Sequence, residues 1–292
     1  MLRERRLFFL GTGSIAEALV KGILSARLLP AQRITLSTRK NIQRLYYLSA
    51  TYAVNACEDK KAGIDEADIV VLAVKPIDMV MALQEVDTAI SSEHLVISVA
   101  AGVSTSTIES LLRGNVPVIR AMPNTSSFVQ ASATAISRGR WTTTVQLEMA
   151  QQIFSAIGSS VVVDEPLLDA VTGLSGTGPA YFYYLVEALM EAGVSCGLPE
   201  GTCRELLLQT LEGAAKMLKE TGKAPAELRR QVTSPNGTTV AAMNVLEEGG
   251  VRNLLVRAVR RATDRAAEMG REASVTRMVY EQGFHIYRRP AR

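Results

Sequence analysis

The sequence has 292 residues and a formal net charge of +3; 47% of the residues are hydrophobic and 21% are charged. This composition is typical of one large or two ordinary folded domains and excludes a disordered chain. The mild charge, with no dense stripe of Lys and Arg, argues against a nucleic-acid partner. The two histidines, His94 and His285, have no Cys or His at ligand spacing. We therefore expect no metal site and no Ser-His-Asp triad.

Cysteine usage and hydropathy bear on the compartment. Cys57, Cys196 and Cys203 form no CxxC motif, and scattered cysteines of this kind are typical of reduced thiols in the cytosol. No apolar stretch has the length of a signal-peptide core or of a membrane-spanning helix. We expect a cytoplasmic protein that has no membrane contact and acts on a small molecule.

Short apolar runs alternate with helical segments through the first half of the chain. These runs are rich in Val, Ile and Leu, as strands buried on both faces are, and they occupy residues 6–11, 33–37, 68–74, 94–100 and 116–122. Further strand candidates lie at 133–137 and 159–163. After the fourth run, Ser104 is placed to cap a helix. Strands and helices alternating at this spacing predict a doubly wound parallel sheet.

The periodicity changes after Asp164. Apolar residues then recur every three or four positions, which predicts helices. The predicted fold class is α/β, with a Rossmann-like doubly wound parallel sheet over residues 1–164 and an all-helical dimerisation domain over residues 165–292. One predicted helix, at 178–198, carries only Glu187 and Glu191 as charged residues. We expect so apolar a helix to lie both at the centre of the helical domain and in a subunit interface.

A glycine-rich motif follows the first predicted strand. Gly11, Gly13 and Ala16 form G-x-G-x-x-A at the start of a helix. The first glycine permits a tight turn, the second lets backbone approach a pyrophosphate, and the helix N-terminus supplies free N–H groups. In this strand-to-helix context the motif predicts a dinucleotide site made by residues Gly11, Thr12, Gly13, Ser14 and Ile15. A plain glycine turn is the alternative.

The end of the second strand bears on which dinucleotide binds. An NAD-preferring site places an acid there to hold the ribose 2′-hydroxyl, whereas this chain has Ser37, Thr38, Arg39 and Lys40. Hydroxyls and cations suit a 2′-phosphate. NADPH is therefore the predicted cofactor, with NADH possible, unless these residues form only an exposed loop.

Three more strands end in residues that are expected to line the same crevice, because ligands bind at the carboxyl ends of strands in open α/β sheets. Small residues there leave room for the nicotinamide ring. The predicted cofactor residues at these ends are Ala73, Val74, Lys75, Pro76, Ala100, Ala101, Gly102, Met122, Pro123 and Asn124.

Several longer motifs carry a family resemblance. They are GTGSIAEA, AVKP, RAMPNT, DAVTGLSGTGPAYFYY, the pattern Q-T-x-x-G-A-A-K-M-L at 209–218, VTSPNGTT and LEEGGVR. With these motifs the chain resembles pyrroline-5-carboxylate reductase, the NAD(P)H-dependent enzyme of the last step of proline synthesis. The resemblance covers nearly the whole chain. It implies a Rossmann domain and a helical domain that forms a homodimer, often assembled into a larger oligomer.

The resemblance also assigns a substrate site. It gives VTSPNGTT, residues 232–239, to the carboxylate of a cyclic imine, with Thr239 and Ser234 as the catalytic candidates. A protonated imine already carries its positive charge, so hydride transfer needs no histidine acid. The substrate-binding candidates are Ser175, Gly176, Thr177, Gly178, Asn236, Gly237 and Thr238. From spacing alone, the segment could equally be a turn between helices that Thr238 caps.

Two departures from the family pattern keep alternatives open. Asn236 stands where the family has glycine, although Asn tolerates the left-handed conformation. The MPNTSSF segment lacks the proline that commonly follows MPNT. One alternative is a non-catalytic or altered-substrate paralogue that binds NADP(H). Another is a β-hydroxyacid-dehydrogenase-like enzyme, which the absence of lysine between Gly178 and Cys196 disfavours.

Overall fold

The computed structural model describes residues 2–287, with side chains to residue 272. The chain divides into two compact units. The first, the sheet unit, contains the residues up to Thr177 together with those from Arg261 onward, and the second, the helical unit, spans Gly178–Arg260. Among the described residues, no helix combines the length and the apolar composition that crossing a bilayer would require.

The sheet unit is built on eight strands in the order β3-β2-β1-β4-β5-β6-β7-β8. Neighbouring strands are parallel, except that β6 and β7 are antiparallel. The strand order reverses between β1 and β4, which is the switch point where open α/β sheets bind ligands. The strands are β1 Leu7–Leu10, β2 Ile34–Ser37, β3 Asn55–Ala56, β4 Ile69–Leu72, β5 Leu95–Ser98, β6 Val118–Met122, β7 Ser132–Arg138 and β8 Gly158–Val162.

Helices flank both faces of the sheet. Phe8 and Phe9 are neighbours on β1, yet they belong to separate hydrophobic clusters, because successive side chains of a strand point to opposite faces. Both rings are fully buried. The helices are α1 Ser14–Ser25, α2 Ile42–Tyr52, α3 Lys60–Asp65, α4 Met79–Gln84, α5 Thr105–Leu111, α6 Thr144–Ser155 and α7 Leu168–Val171, the last running into a π-helical turn at Thr172–Gly176.

The predicted fold class is confirmed. Each predicted strand is present within a few residues, and Ser104 caps α5 by accepting a hydrogen bond from the N–H of Thr107 at 3.1 Å. The sequence did not predict β3, because a strand of two residues has no readable periodicity. The antiparallel β6–β7 pair departs from the all-parallel sheet expected, because only a short loop joins the two strands.

The helical unit contains α8 Gly178–Ser195, α9 Glu200–Thr221, α10 Pro225–Gln231, α11 Thr238–Glu248 and the first turns of α12 Val251–Tyr287. Its helices bury few side chains. On α8 only Gly178 is buried, whereas Phe182 is 54% and Tyr184 70% exposed. The expectation that α8 lies at the centre of this domain is therefore wrong for the single chain, whose apolar α8 surface is uncovered. The interface half of that expectation fits the exposure.

The predicted domain boundary after Asp164 stays a prediction, but by its contacts the segment 165–177 belongs to the sheet unit. Arg120 on β6 is almost fully buried and pairs with two carboxylates beyond that position, Glu165 at 3.6 Å and Asp169 at 3.4 Å. Glu165 also accepts hydrogen bonds from the backbone N–H and the hydroxyl of Thr105. These contacts fasten residues 165–177 to the sheet unit. Sequence periodicity could not show them, because they join residues about 45–60 positions apart.

Candidate active site

Gly11 forms the turn from β1 to α1. Its φ of +116° is left-handed, and a Cβ there would lie 2.5 Å from the carbonyl oxygen of Ala73 on the neighbouring strand. Its N–H donates to the carbonyl of Ser37 at 2.8 Å. Only glycine satisfies both the conformation and the close approach. The loop is therefore held between the ends of β2 and β4.

Gly13 has a different role in the same loop. It is the N-cap of α1 and provides no side-chain cap, so the first N–H groups of a twelve-residue helix remain available. A Cβ at Gly13 would meet only the Ala73 carbonyl, at an ordinary 3.8 Å. The space in front of the helix N-terminus is thus open, which is the cradle that a pyrophosphate needs.

A cavity of about 380 Å³ opens at these strand ends. It is the right size for part of a nucleotide ligand. Its wall contains more cations than carboxylates, which suits an anionic ligand. The lining residues are Leu10, Gly11, Thr12, Gly13, Ser14, Thr38, Arg39, Lys40, Asn41, Arg44, Lys60, Ala73, Val74, Lys75, Asp78, Ala82 and Glu85.

Ion pairs already engage part of this charge. Arg39 Nη2 lies 2.9 Å from Asp78 Oδ1, and Lys60 pairs with Glu85 across the same wall. Lys40 and Lys75, by contrast, pair with no carboxylate among the described side chains. An anion entering the cavity would find these two lysines and the helix N-terminus free to receive it.

A third ion pair, between α1 and α2, contacts the glycine loop. Arg44 on α2 pairs with Glu17 on α1, and its Nε lies 3.4 Å from the carbonyl oxygen of Thr12. Tyr52 donates its hydroxyl to Glu17 at 3.1 Å. Burial and this contact with Glu17 raise the pKa of Tyr52 above its usual range, so the phenol keeps its proton. The cluster fixes the orientation of α1 relative to α2.

Most of the residues predicted at the ends of β1, β2 and β4 line this cavity. Ile15 and Pro76 do not line it. Ser37 does not line the cavity: its side chain is fully buried without a hydrogen-bond partner among the described residues, and its carbonyl accepts from the N–H of Gly11. Ser37 is the last residue of β2, and the next residue, Thr38, is the first of this segment to line the cavity.

The predicted ring site at Ala100, Ala101 and Gly102 is placed differently. Gly102 has a φ of +75°, and its carbonyl approaches Gly270 on α12 so closely that a Cβ on Gly270 would lie 2.7 Å away. Ala100 is buried. The glycine at position 102 is thus explained by packing between this loop and α12. None of the three residues lines the cavity described above.

The β6 end meets the π-helical turn. The side-chain amide of Asn124 donates to the carbonyl of Ser175 at 3.1 Å, and the methyl group of Met122 lies against Gly176. Pro123, which stands between Met122 and Asn124 in the sequence, is buried. The structure therefore brings two predicted cofactor residues together with two predicted substrate residues. π-helical turns of this kind occur frequently at functional sites.

The hydroxyls of Ser175 and Thr177 already donate hydrogen bonds to nearby backbone carbonyls. Ser175 Oγ donates to the carbonyl of Val171 at 3.3 Å, and Thr177 Oγ1 donates to the carbonyl of Thr172 at 3.0 Å. Gly178, the first residue of α8, is buried. As donors to a substrate, Ser175 and Thr177 would have to exchange these bonds. In the structure they stabilise the turn.

The VTSPNGTT segment begins a helix, as the anion-site interpretation requires. Asn236 has a φ of +57°, so it adopts the left-handed conformation that was expected to make its replacement of glycine tolerable. Gly237 is the N-cap of α11 and has no capping side chain. Thr238 is the first helical residue, which corrects the interpretation that Thr238 caps the turn. Thr239 is half-buried, and Ser234 is exposed, with its carbonyl accepting from Gly237 N–H at 3.0 Å.

His94 does not belong to these sites. His94 is buried at the start of β5, where its Nδ1 accepts from the N–H of Ser91 at 3.0 Å and its Nε2 lies 3.2 Å from the carbonyl of Ile64. It therefore fastens the loop before β5. His285 lies outside the residues whose side chains are described. No group of three or more metal-ligating side chains occurs among the described residues.

Comparison with known proteins gives the family. Residues 165–269 match the model of pyrroline-5-carboxylate reductase dimerisation, and residues 6–102 match that of NADP oxidoreductase, coenzyme F420-dependent. The chain is 38% identical to pyrroline-5-carboxylate reductase 1 of Bacillus spizizenii over 94% of this chain and 92% of that protein. It is 41% identical to the reductase of Corynebacterium melassecola over 90% and 97%. The chain belongs to the pyrroline-5-carboxylate reductase family.

Solved structures agree with this assignment. The pyrroline-5-carboxylate reductase of Coxiella burnetii superposes with a TM-score of 0.85 at 37% identity, covering 91% of this chain and 98% of that one. The Plasmodium falciparum pyrroline carboxylate reductase, solved with NADP bound, has a TM-score of 0.82 at 26% identity, covering 92% and 100%. The predicted family, enzyme class and use of NAD(P)H are confirmed, and the two alternative functions are not favoured. The dimerisation match supports a homo-oligomer.

Sequence reasoning missed five charged or polar residues of the cavity. Two of them had a signal: Asn41 is a typical N-cap residue directly after Lys40, and Arg44 lies in the first turn of the helix that Asn41 caps. Lys60, Asp78 and Glu85 reach the cavity only because α3 and α4 pack beside β1 and β4. No local pattern marks them.

Proposed function

We propose that this protein reduces 1-pyrroline-5-carboxylate to L-proline with NADPH, the last step of proline biosynthesis. The observation that supports this proposal most directly is the cavity beside the glycine loop. It occurs in a chain that matches a pyrroline-5-carboxylate reductase over 94% of its length. The uncapped N-terminus of α1, the open space at Gly13 and the surplus of cations fit a dinucleotide phosphate. When bound, this cofactor supplies the hydride.

The cationic end of the cavity favours NADPH over NADH. Thr38, Arg39 and Lys40 line it directly after β2, and no acid stands there to hold a ribose 2′-hydroxyl. Lys40 has no carboxylate partner among the described side chains, and Arg39 offers a planar fork that matches phosphate. Both are proposed to bind the 2′-phosphate.

The start of α11 is proposed to bind the substrate. Its N–H groups at Thr238 and Thr239 would receive the carboxylate, since the helix has no side-chain cap. The N–H of Gly237 could join them only by giving up its hydrogen bond to the Ser234 carbonyl. Thr239 is proposed to hydrogen-bond the ring nitrogen, with Ser234 assisting. A protonated imine becomes a neutral amine on accepting hydride, so the protein needs to orient the ring and exclude water and does not need to donate a proton.

The active form is proposed to be a homodimer, with larger assemblies built from it, located in the cytoplasm. Exposed apolar side chains on α8 and the dimerisation match support the first point. All three cysteines are unpaired, which supports a reducing compartment.

Purified enzyme mixed with NADPH and 1-pyrroline-5-carboxylate tests this proposal. We expect NADPH consumption that requires the imine, and a decrease in turnover of roughly ten- to a thousandfold for Thr239→Val, the range for losing one oriented polar group. Thr221→Val, which removes a hydroxyl bonded to the Met217 carbonyl at the end of α9, is the matched control. NADPH binding without consumption would instead indicate a cofactor-binding paralogue. NADPH consumption only with the oxo form of a β-hydroxyacid would indicate the other alternative.

A further inference from the structure

Arg39, the main candidate for binding the 2′-phosphate, is not free in the structure. Its Nη2 lies 2.9 Å from Oδ1 of Asp78, and its Nη1 contacts the sulfur of Met81. Both partners lie at the start of α4, 39 and 42 residues further along the chain. The two terminal nitrogens of the guanidinium are thus directed to the opposite wall, although Arg39 and Asp78 both line the cavity.

The carboxylate of Asp78 makes no capping hydrogen bond to α4. Asp78 stands at the N-cap position of α4, where an Asp side chain commonly accepts a backbone N–H. Here it makes no capping hydrogen bond. Asp78 pairs with Arg39, and the side chain of Arg39 is 29% exposed and that of Asp78 is 33% exposed. Asp78 therefore places a negative charge beside the expected 2′-phosphate without making a capping hydrogen bond to its own helix.

We propose that Asp78 is a specificity-determining residue that competes with the 2′-phosphate of NADPH for Arg39. A 2′-phosphate that binds Arg39 must displace the carboxylate or lie beside it, and either arrangement weakens binding. NADH carries no such phosphate, so the Arg39–Asp78 pair stays intact and no partly buried cation is left unpaired. Asp78 therefore reduces the preference for NADPH over NADH. This inference rests on the proposed NADPH function.

Asp78→Asn tests the competition, with affinities for NADPH and NADH measured from nicotinamide fluorescence. We expect the variant to bind NADPH about tenfold tighter, the scale of one charge-assisted hydrogen bond, and NADH within about threefold of the wild type. Asp87→Asn is the matched control: it removes a carboxylate that pairs with Arg113 at 3.0 Å and does not line the cavity. Asp78→Ser gives a second way to remove the charge.

Measuring Asp78→Asn in an Arg39→Ala background distinguishes two effects of Asp78. One is competition with the 2′-phosphate for Arg39, and the other is direct repulsion of the 2′-phosphate by the carboxylate. If Asp78 acts through Arg39, Asp78→Asn should raise NADPH affinity much less in Arg39→Ala than in the wild type. Equal gains in both backgrounds, or an unchanged NADPH-to-NADH affinity ratio in Asp78→Asn, would overturn the proposal. Binding of neither nucleotide by the wild type is a distinct result: it would refute the proposed cofactor and this inference with it.

Discussion

The sheet unit and the helical unit differ in where their apolar side chains lie. Phe8, Phe9 and Phe154 are fully buried within the sheet unit, whereas Phe182 and Leu189 of α8 are 54% and 53% exposed. Apolar surface on this scale stays exposed in water only at a considerable cost. The sheet unit thus completes its core within one chain, and the helical unit requires a second surface to cover α8. Residues 165–269 match the model of pyrroline-5-carboxylate reductase dimerisation, so a second copy of the chain is the surface we expect there.

The same contrast applies to the two predicted sites. The nucleotide cavity is made entirely by residues of the sheet unit, and its glycine loop is fixed by contacts within that unit. The substrate segment at the start of α11 belongs to a unit with little core of its own. We therefore expect NADPH affinity to change with substitutions in the glycine loop. The stability of the helical unit should instead depend on self-association.

The largest effect is expected where the sheet unit is most constrained. Gly11→Ala places a Cβ 2.5 Å from the Ala73 carbonyl at a φ of +116°, so the loop must move out of its phosphate-binding position. We expect NADPH affinity to fall by about 100-fold, equivalent to about 3 kcal/mol. Fluorescence titration measures the loss.

Gly114→Ala is the control for this change. Gly114 also has a left-handed φ, +81°, but a Cβ there would meet nothing within 4 Å. That variant should have reduced stability and unchanged NADPH affinity. If Gly11→Ala bound NADPH as tightly as the wild type, the glycine loop would not be what holds the phosphates. The sheet unit would then not form the cofactor site in the way proposed.

A smaller effect is expected on the helical unit, and only through assembly. Leu189→Glu adds a charge to the exposed apolar surface of α8. We expect self-association to weaken at least tenfold, because the charge would be buried in the interface. A factor of about 10 is the scale of one such interface contact. Val145→Glu is matched to it, since Val145 is 46% exposed on α6 of the sheet unit. Analytical ultracentrifugation of both variants distinguishes them. Equal association constants would show that α8 is not the interface.

Local sequence rules predicted most of the sheet unit. Buried parallel strands give apolar runs, and the glycine motif is meaningful because it follows β1 and starts α1. Short or non-local features were not predictable in the same way. Strand β3 has only two residues, and the attachment of residues 165–177 to the sheet depends on the pairs that Arg120 makes with distant carboxylates.

The site was predictable to the extent that its residues follow strand ends directly. Thr38, Arg39, Lys40 and Lys75 do so, and all line the cavity. Ser37 is one residue earlier, still within β2, and its buried side chain does not line the cavity. Gly102 looked like space for a ring because sequence alone cannot show that α12 packs against it.

The smallest effect tests whether the stability of the sheet unit is independent of assembly. Asp68, just before β4, accepts hydrogen bonds from Arg5 Nη1 at 2.6 Å and from the backbone N–H of Arg6 at 2.8 Å. Burial acts to raise the pKa of Asp68, but these two hydrogen bonds and the charge of Arg5 outweigh it and hold the pKa below its ordinary value of 3.8. Asp68→Asn should therefore lower the free energy of unfolding by about 1 kcal/mol at pH 7.

The pH dependence has a definite sign. Because the folded-state pKa of Asp68 is lowered, its stabilising contribution is complete above the unfolded value of 3.8 and is lost as pH falls through the folded value. The difference between wild type and Asp68→Asn in denaturant unfolding should thus shrink as the pH falls below that unfolded value. It should also be the same at every protein concentration, since the contacts lie within one unit, whereas Leu189→Glu should change stability in a concentration-dependent way. A difference that persists undiminished at acid pH would show that the Asp68→Asn substitution perturbs packing, and that the charge of Asp68 does not stabilise this end of the sheet.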